Sequence, residues 1–365
     1  MKKLSQHISA CTIVIAATIT FISCKKATTP PIPSTIGGAK YENGLFISNE
    51  GSFGFGNGSI SFYNSASNSV KNSIFSIENN RPLGDVVQSI SRIGSSAYIC
   101  VNGSNKIEVV DALTFKEQAT ITGVSLPRYI ISNGNTGYVS SWANGGEVVM
   151  VDLVSNSVTG SIPVGAGPEK MAISNNYLYV ANSGGYGLDS TISVIDLVSN
   201  TVTTTINING YNPSAIVNGN GNTIWVIARG QVIYDANWNV VGHDPSKLVE
   251  INTSTNTVSG TTALFASDHP SNIDISPDKN TLYLGGSYGF PAIYTINPSA
   301  PSAPLPLISE VNYGFFVNQS NGNIFVLQEA SSSNGKLLRY TPSGSKLGEY
   351  TVGVFPNGGV NRINR

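Results

Sequence analysis

The chain has 365 residues, of which only 11% are charged, and a formal net charge of −1 at neutral pH. So few Lys and Arg provide no basic field to hold a polyanion, which excludes nucleic acid as a partner. Three Cys and three His without HxxxH, CxxC or HExxH spacing exclude a disulfide framework and a His/Cys-built metal site, so no metal is expected.

Met1-Lys2-Lys3 is a positive n-region, and residues 8–22 form an apolar h-region too short to span a bilayer comfortably. The segment ends in Phe21-Ile22-Ser23-Cys24, which resembles a bacterial lipobox. Residues 1–23 are therefore read as a lipoprotein signal peptide and Cys24 as the lipidated first residue of the mature chain. Residues 24–40 add a Pro/Thr/Ser/Gly tether with no core-forming pattern. Acyl chains bind membrane at roughly 0.8 kcal/mol per buried methylene, so several together anchor stably. The expected address is the outer membrane, at the cell surface or the periplasmic face, held by lipid alone.

From residue 41 onward the chain alternates apolar and polar residues with period 2. Residues 167–206 show the unit most clearly: four short β-branched or aromatic runs separated by Asn, Gly, Ser or Asp. That is a four-stranded antiparallel meander with tight turns. Its second run, Leu178-Tyr179-Val180, recurs as Leu45-Phe46-Ile47, Ala97-Tyr98-Ile99, Gly137-Tyr138-Val139, Ile224-Trp225-Val226, Leu282-Tyr283-Leu284 and Ile324-Phe325-Val326. Repeats of this length are blades, and the count predicts an all-β, seven-bladed propeller over 41–365. The first repeat lacks its first strand, and the last ends on Pro356-Asn357-Gly358-Gly359-Val360, a first strand without a second. Joined in one blade, these ends close the ring. The aromatics of the second strands are expected in the core, and Asp111, Asp152 and Asp196 are expected to cap their own turns. Cys100, in a second strand, reads as a small buried hydrophobe.

In a meander, the starts of first strands and the ends of second strands meet on one rim. The binding residues expected there are Asn49, Glu50, Phe53, Gln88, Arg128, Trp142, Asn182, Arg229, Tyr288 and Gln328, types enriched in binding hot spots. Trp142, in a Gly-rich loop, suits a ligand contact or a lid on the core, and Arg128 a rim contact or a bridge between blades. No G-x-S-x-G, Walker loop or dinucleotide fingerprint opens a helix, so no cofactor is expected. The first strands supply mostly Ile, Ala, Ser and Asn to the channel, with Asp85 and Asp274 as exceptions. That leaves no catalytic residues, and an enzyme is not expected.

Asn49-Glu50-Gly51-Ser52-Phe53, Leu83-Gly84-Asp85-Val86-Val87-Gln88-Ser89, Pro127-Arg128-Tyr129, Tyr138-Val139-Ser140-Ser141-Trp142 and Gly167-Pro168-Glu169 stand in this order. They resemble the YncE-like, YVTN-type (DUF5074) propeller lipoproteins of Bacteroidota, over residues 44–362. That group includes BtuG-type surface lipoproteins, which capture vitamin B12 above a TonB-dependent transporter. The resemblance implies non-enzymatic capture of a small molecule, with a corrinoid such as cobalamin the most concrete ligand and a TonB-dependent outer-membrane transporter as partner. The alternative is a surface-layer or scaffold propeller binding protein or glycan.

Overall fold

The structure, a computed structural model, describes residues 39–361. The expected signal peptide, Cys24 and the tether as far as residue 38 lie outside these residues. The described chain folds as seven four-stranded antiparallel sheets and one two-stranded hairpin, so the expected all-β, seven-bladed propeller is the fold. The second blade runs Val87–Ile93, Ser96–Val101, Lys106–Asp111 and Glu117–Ile121, from innermost to outermost strand. The third to seventh blades repeat this order from the inner strands Pro127–Asn133, Pro168–Ser174, Pro213–Asn218, Asn272–Ile275 and Gly314–Val317.

The first blade is assembled from both ends of the described chain. Its inner strand, Pro356–Asn361, pairs antiparallel with Gly44–Asn49, followed by Ser59–Asn64 and Ser69–Lys71. Phe46 lies opposite Val360 and Ile47 opposite Gly359, as the broken first repeat predicts. The outer strand is only three residues long, and the short helix Ile74–Asn79 follows it, burying Ile74, Phe75 and Glu78.

The core lies between blades. Buried apolar residues fall into seven clusters, each spanning two neighbouring blades. Period-2 alternation explains this: along Ser96–Val101, Ala97, Ile99 and Val101 pack toward the first blade, while Tyr98 and Cys100 pack toward the third. Second strands are therefore buried on both faces. Tyr98, Tyr138, Tyr179, Trp225, Tyr283 and Phe325 are each at most 4% exposed, so the expectation for the recurrent aromatics holds. The Cys100 thiol is fully buried, which pushes its pKa up to about 12.

Polar side chains fix the turns and join the blades. Asp111, Asp152 and Asp196 each accept two backbone N–H groups from the following turn at 2.8–3.0 Å, as expected. Tyr138 donates to Asn200 of the next blade at 2.8 Å, and Tyr179 to Asn256 at 2.5 Å. Both Asn residues hold positive φ at their turns, so each serves its own hairpin and the neighbouring blade.

Arg81, just after the short helix, ties it to the second blade. Its guanidinium stacks on Phe75 and donates two parallel hydrogen bonds to Glu108 at 2.8 Å. Glu108 is completely buried; burial alone would raise its carboxyl, but Arg81, Lys106 and Thr120 outweigh this and hold it below its usual range. Replacing Arg81 by Ala should cost about 2–3 kcal/mol in urea unfolding, toward the low end for a broken buried pair because Lys106 remains at 2.6 Å. A lowered folded pKa means this stability is present above the unfolded carboxylate range and is lost as pH falls through the folded value. The difference between wild type and Arg81→Ala should therefore shrink in acid.

Candidate ligand site in the central cavity

Each of five inner strands begins with a bulge. Gln88, Ser214 and Asn357 are single extra residues in their pairings, and Arg128–Tyr129 and Glu169–Lys170 are pairs set against one partner residue. A bulge re-aims side chains out of the pleat, and all seven of these residues line one central cavity. The residue before each of these strands has positive φ: Val86, Leu126, Gly167, Asn212 and Phe355. For Val86 and Leu126 that is a strained geometry, of the kind that collects at functional sites.

The cavity has a volume of about 860 Å³ and takes residues from all seven blades. Glu50, Glu169, Asp274, Arg128, Lys170 and Arg229 line it. Asp274 is there as expected, and the other five correct the expectation that Asp85 and Asp274 would be the channel's charged exceptions. Asp85 is not among these residues; it holds the loop after the first second strand, accepting from Gly54 N at 2.9 Å and Gly56 N at 3.3 Å.

Each carboxylate is held by donors. Glu50 accepts from Asn357 and from the Tyr313 hydroxyl, both at 3.0 Å. Asp274 accepts from the backbone of Val317 and Ile275 at 2.8 Å. Glu169 takes Nε and Nη2 of Arg128 on one oxygen, at 3.1 and 2.7 Å. Burial raises all three carboxyls despite these bonds. Burial would lower Arg128, but Glu169 outweighs it.

The other cations differ. Burial lowers Lys170 against the pull of Asp274 and Glu169, and its ammonium donates to Asn272 Oδ1. Arg229 reaches solvent through the cavity, makes no hydrogen bond or salt bridge through its side chain among the described residues, and is lowered by confinement there.

Aromatic residues form the mouth. Trp142 packs edge-on against Tyr186 with centroids 5.3 Å apart, and the Arg128 guanidinium stacks over it at 4.2 Å. Trp142 thus stacks on the cation of the Arg128–Glu169 pair, and its Nε1 is buried without an acceptor among the described residues. Tyr288 and Tyr234 also line the cavity, the latter on an inserted hairpin, Gln231–Tyr234 and Val240–Asp244.

Of the ten expected rim residues, Glu50, Gln88, Arg128, Trp142, Arg229 and Tyr288 meet at this cavity. Arg128 is both things weighed for it, a bridge to the next blade and a cavity wall. Asn49 and Asn182 are corrected: both are fully buried and donate to hydroxyls of the third strand, Ser61 and Ser193, at 3.0 Å. Gln328 lies away from the cavity, bonded to Glu310 and Val311. Phe53 is exposed on the loop that Asp85 holds and does not reach the cavity. Sequence reasoning missed Tyr129, Lys170, Tyr186 and the inserted hairpin.

The two histidines, apart in sequence, are adjacent. His243 Nδ1 and His269 Nε2 are 2.9 Å apart, and His269 Nδ1 donates to the Arg229 carbonyl at 2.7 Å. His243 Nδ1–H therefore donates to His269 Nε2, clasping the hairpin to the rim. Among the described residues no group of three or more His, Cys, Asp or Glu is placed to hold a metal.

The family described as Domain of unknown function (DUF5074) matches residues 43–335. The chain belongs to this family. A relative of this chain is the seven-bladed beta-propeller protein Rv1057 of Mycobacterium tuberculosis, 30% identical over 122 residues. That match covers 32% of this chain and 30% of the relative, so the chain spans less than a third of the curated relative's length. Among solved structures, a functionally unknown protein from Desulfotomaculum acetoxidans superposes with TM-score 0.64 at 14% identity, covering 87% of this chain and 98% of that one. A quinonprotein alcohol dehydrogenase-like protein from Bacteroides thetaiotaomicron gives TM-score 0.61 at 16% identity, covering 88% and 78%. Hydrazine synthase of Kuenenia stuttgartiensis gives 0.57 at 19%, covering 69% and 76%. At these identities the likeness is one of fold.

Proposed function

We propose that this DUF5074 protein is a membrane-anchored extracytoplasmic lipoprotein that captures a small molecule in its central cavity, without catalysis. The observation that carries the reading is the cavity itself: bulged inner strands turn polar and charged side chains inward beneath a mouth of Trp142, Tyr186 and Tyr288. Such a site suits a ligand with a broad flat face and a polar periphery, and a rigid scaffold keeps the ordering cost of capture low. The absence of catalysis is supported by the state of the carboxylates, each engaged by donors rather than poised beside a nucleophile. A corrinoid is the ligand we put first, from the resemblance of the motifs, with delivery to a TonB-dependent outer-membrane transporter.

Titration of the purified protein with cyanocobalamin, followed by heat and Trp fluorescence, tests this. Saturable one-to-one binding is expected, weakened by about 2 kcal/mol in Trp142→Ala, the size of a binding hot spot. No binding at tens of micromolar removes the corrinoid. A second reading, docking of a protein or glycan, draws support from the inserted hairpin, where Trp238 is 82% exposed. It requires Trp238→Ala to abolish the association and Trp142→Ala to leave it intact.

A further inference from the structure

We propose that the cavity binds an oxyanion, a carboxylate or phosphate group of its ligand, between Arg229 and Lys170. This rests on reading the cavity as the ligand site and narrows the ligand to an acidic molecule.

Donors and acceptors are unequally engaged on the cavity wall. Six charged side chains line the cavity, three of each sign, but their hydrogen-bonding capacity is lopsided. Both oxygens of Glu50 and both of Asp274 already accept, and Glu169 Oε1 accepts twice from Arg128. On the donor side, the five N–H groups of Arg229 have no acceptor among the described residues. Lys170 spends one of its protons on Asn272, a neutral amide. Tyr129, whose ring faces the Lys170 ammonium at 5.9 Å, accepts from Gln88 Nε2 at 3.2 Å and its own proton has no acceptor among the described residues. Asn212 Oδ1 is an open acceptor on the same wall, but the spare charged groups are donors, and a ligand that brings acceptors completes them.

Charge points the same way. The cavity walls lower both cations, Lys170 on a half-buried position and Arg229 on a solvent-reaching one, and an anion between them offsets that. Glu169 lies close enough to act on Arg128, Lys170 and Arg229 together, yet among the described residues its ion pair is with Arg128. The planar fork of Arg229 suits bidentate contact with a carboxylate or phosphate, and the Lys170 ammonium adds a point charge. The aromatic mouth then contacts the remainder of the molecule.

Isothermal titration of the full chain with citrate, inorganic pyrophosphate and neutral triethyl citrate tests the assignment. One anion should bind per chain while the ester does not, and the tighter of the two anions tells carboxylate from phosphate. Arg229→Gln and Lys170→Met should each raise the dissociation constant at least about tenfold, as loss of a charge-assisted contact does. Arg229 has no side-chain hydrogen bond or salt bridge to lose among the described residues, so Arg229→Gln should melt within a degree or two of the wild type. Anions that bind no better than the ester, or an Arg229→Gln protein that binds them like wild type, would overturn the proposal. Cyanocobalamin capture without anion binding keeps the function and discards the oxyanion site. Anion binding that is lost in both variants, with no response to cyanocobalamin, keeps the oxyanion site and discards the corrinoid.

Discussion

Deleting residues 356–365 should abolish cooperative folding: the truncated chain is expected to lose its sharp thermal transition and to bind hydrophobic dyes. The deletion removes the innermost strand of the first blade, and with it five residue pairings to Gly44–Asn49. It also removes the tie between blades made by Asn357, whose amide donates to Glu50 and to the Val87 and Gln88 carbonyls, and whose Oδ1 accepts from Ser48 at 2.6 Å. Gly359 lies so close to Phe316 and to the Phe46 carbonyl that a Cβ there would come within 2.5–2.8 Å of them. Loss of the strand therefore uncovers Leu45, Phe46, Ile47 and Phe316, all now buried, at about 1.5–3 kcal/mol each when exposure is complete. Summed, even with partial exposure, this matches the roughly 5–15 kcal/mol that stabilises a domain. The Gly44–Asn49 edge is also left unpaired, which favours aggregation. A truncated protein melting cooperatively within a few degrees of the full chain would mean that the ring does not depend on this closure.

That closure was legible because a blade has a fixed strand order, and both the missing first strand and the surplus one stood at opposite ends of the sequence. Turn-capping Asp residues and double-faced second strands were legible for a similar reason: each follows from local spacing. The site was legible only in part. Alternation predicts that one residue of Arg128–Tyr129, and one of Glu169–Lys170, faces inward, but the bulges bring both members of each pair to the cavity. Tyr129 and Lys170 were missed for that reason. Asn49 and Asn182 follow the rim rule by position, yet the alternating hydroxyls at 59/61 and 191/193 draw their amides back into the sheet. That Ser/Thr pattern was the available signal. The gap between Thr223–Ala228 and Lys247–Asn252 could have disclosed the inserted hairpin, whereas the meeting of His243 with His269 depends on tertiary packing that spacing does not encode.

The second large effect concerns the Arg128–Glu169 pair. Replacing Glu169 by Leu should destabilise the fold by about 3–5 kcal/mol, because it strands a guanidinium that is only 15% exposed. Replacing Arg128 by Met should cost about as much by the same reasoning, leaving a buried carboxylate. The double variant, Arg128→Met with Glu169→Leu, should recover most of the loss, since two apolar side chains of similar length fill the space without an unpaired charge. Ligand capture should respond differently. Arg128 holds Trp142 from one side at 4.2 Å, so both variants lacking Arg128 release the indole and should bind ligand poorly, including the double variant that folds well. Urea unfolding and ligand titration on the same four proteins separate the two roles. A double variant no more stable than the worse single would show that the pair is not self-contained, with Glu50 as the next charge facing Arg128. Recovery of stability together with wild-type binding would make Arg128 a bridge between blades alone, and the Trp142 wall would then stand without it.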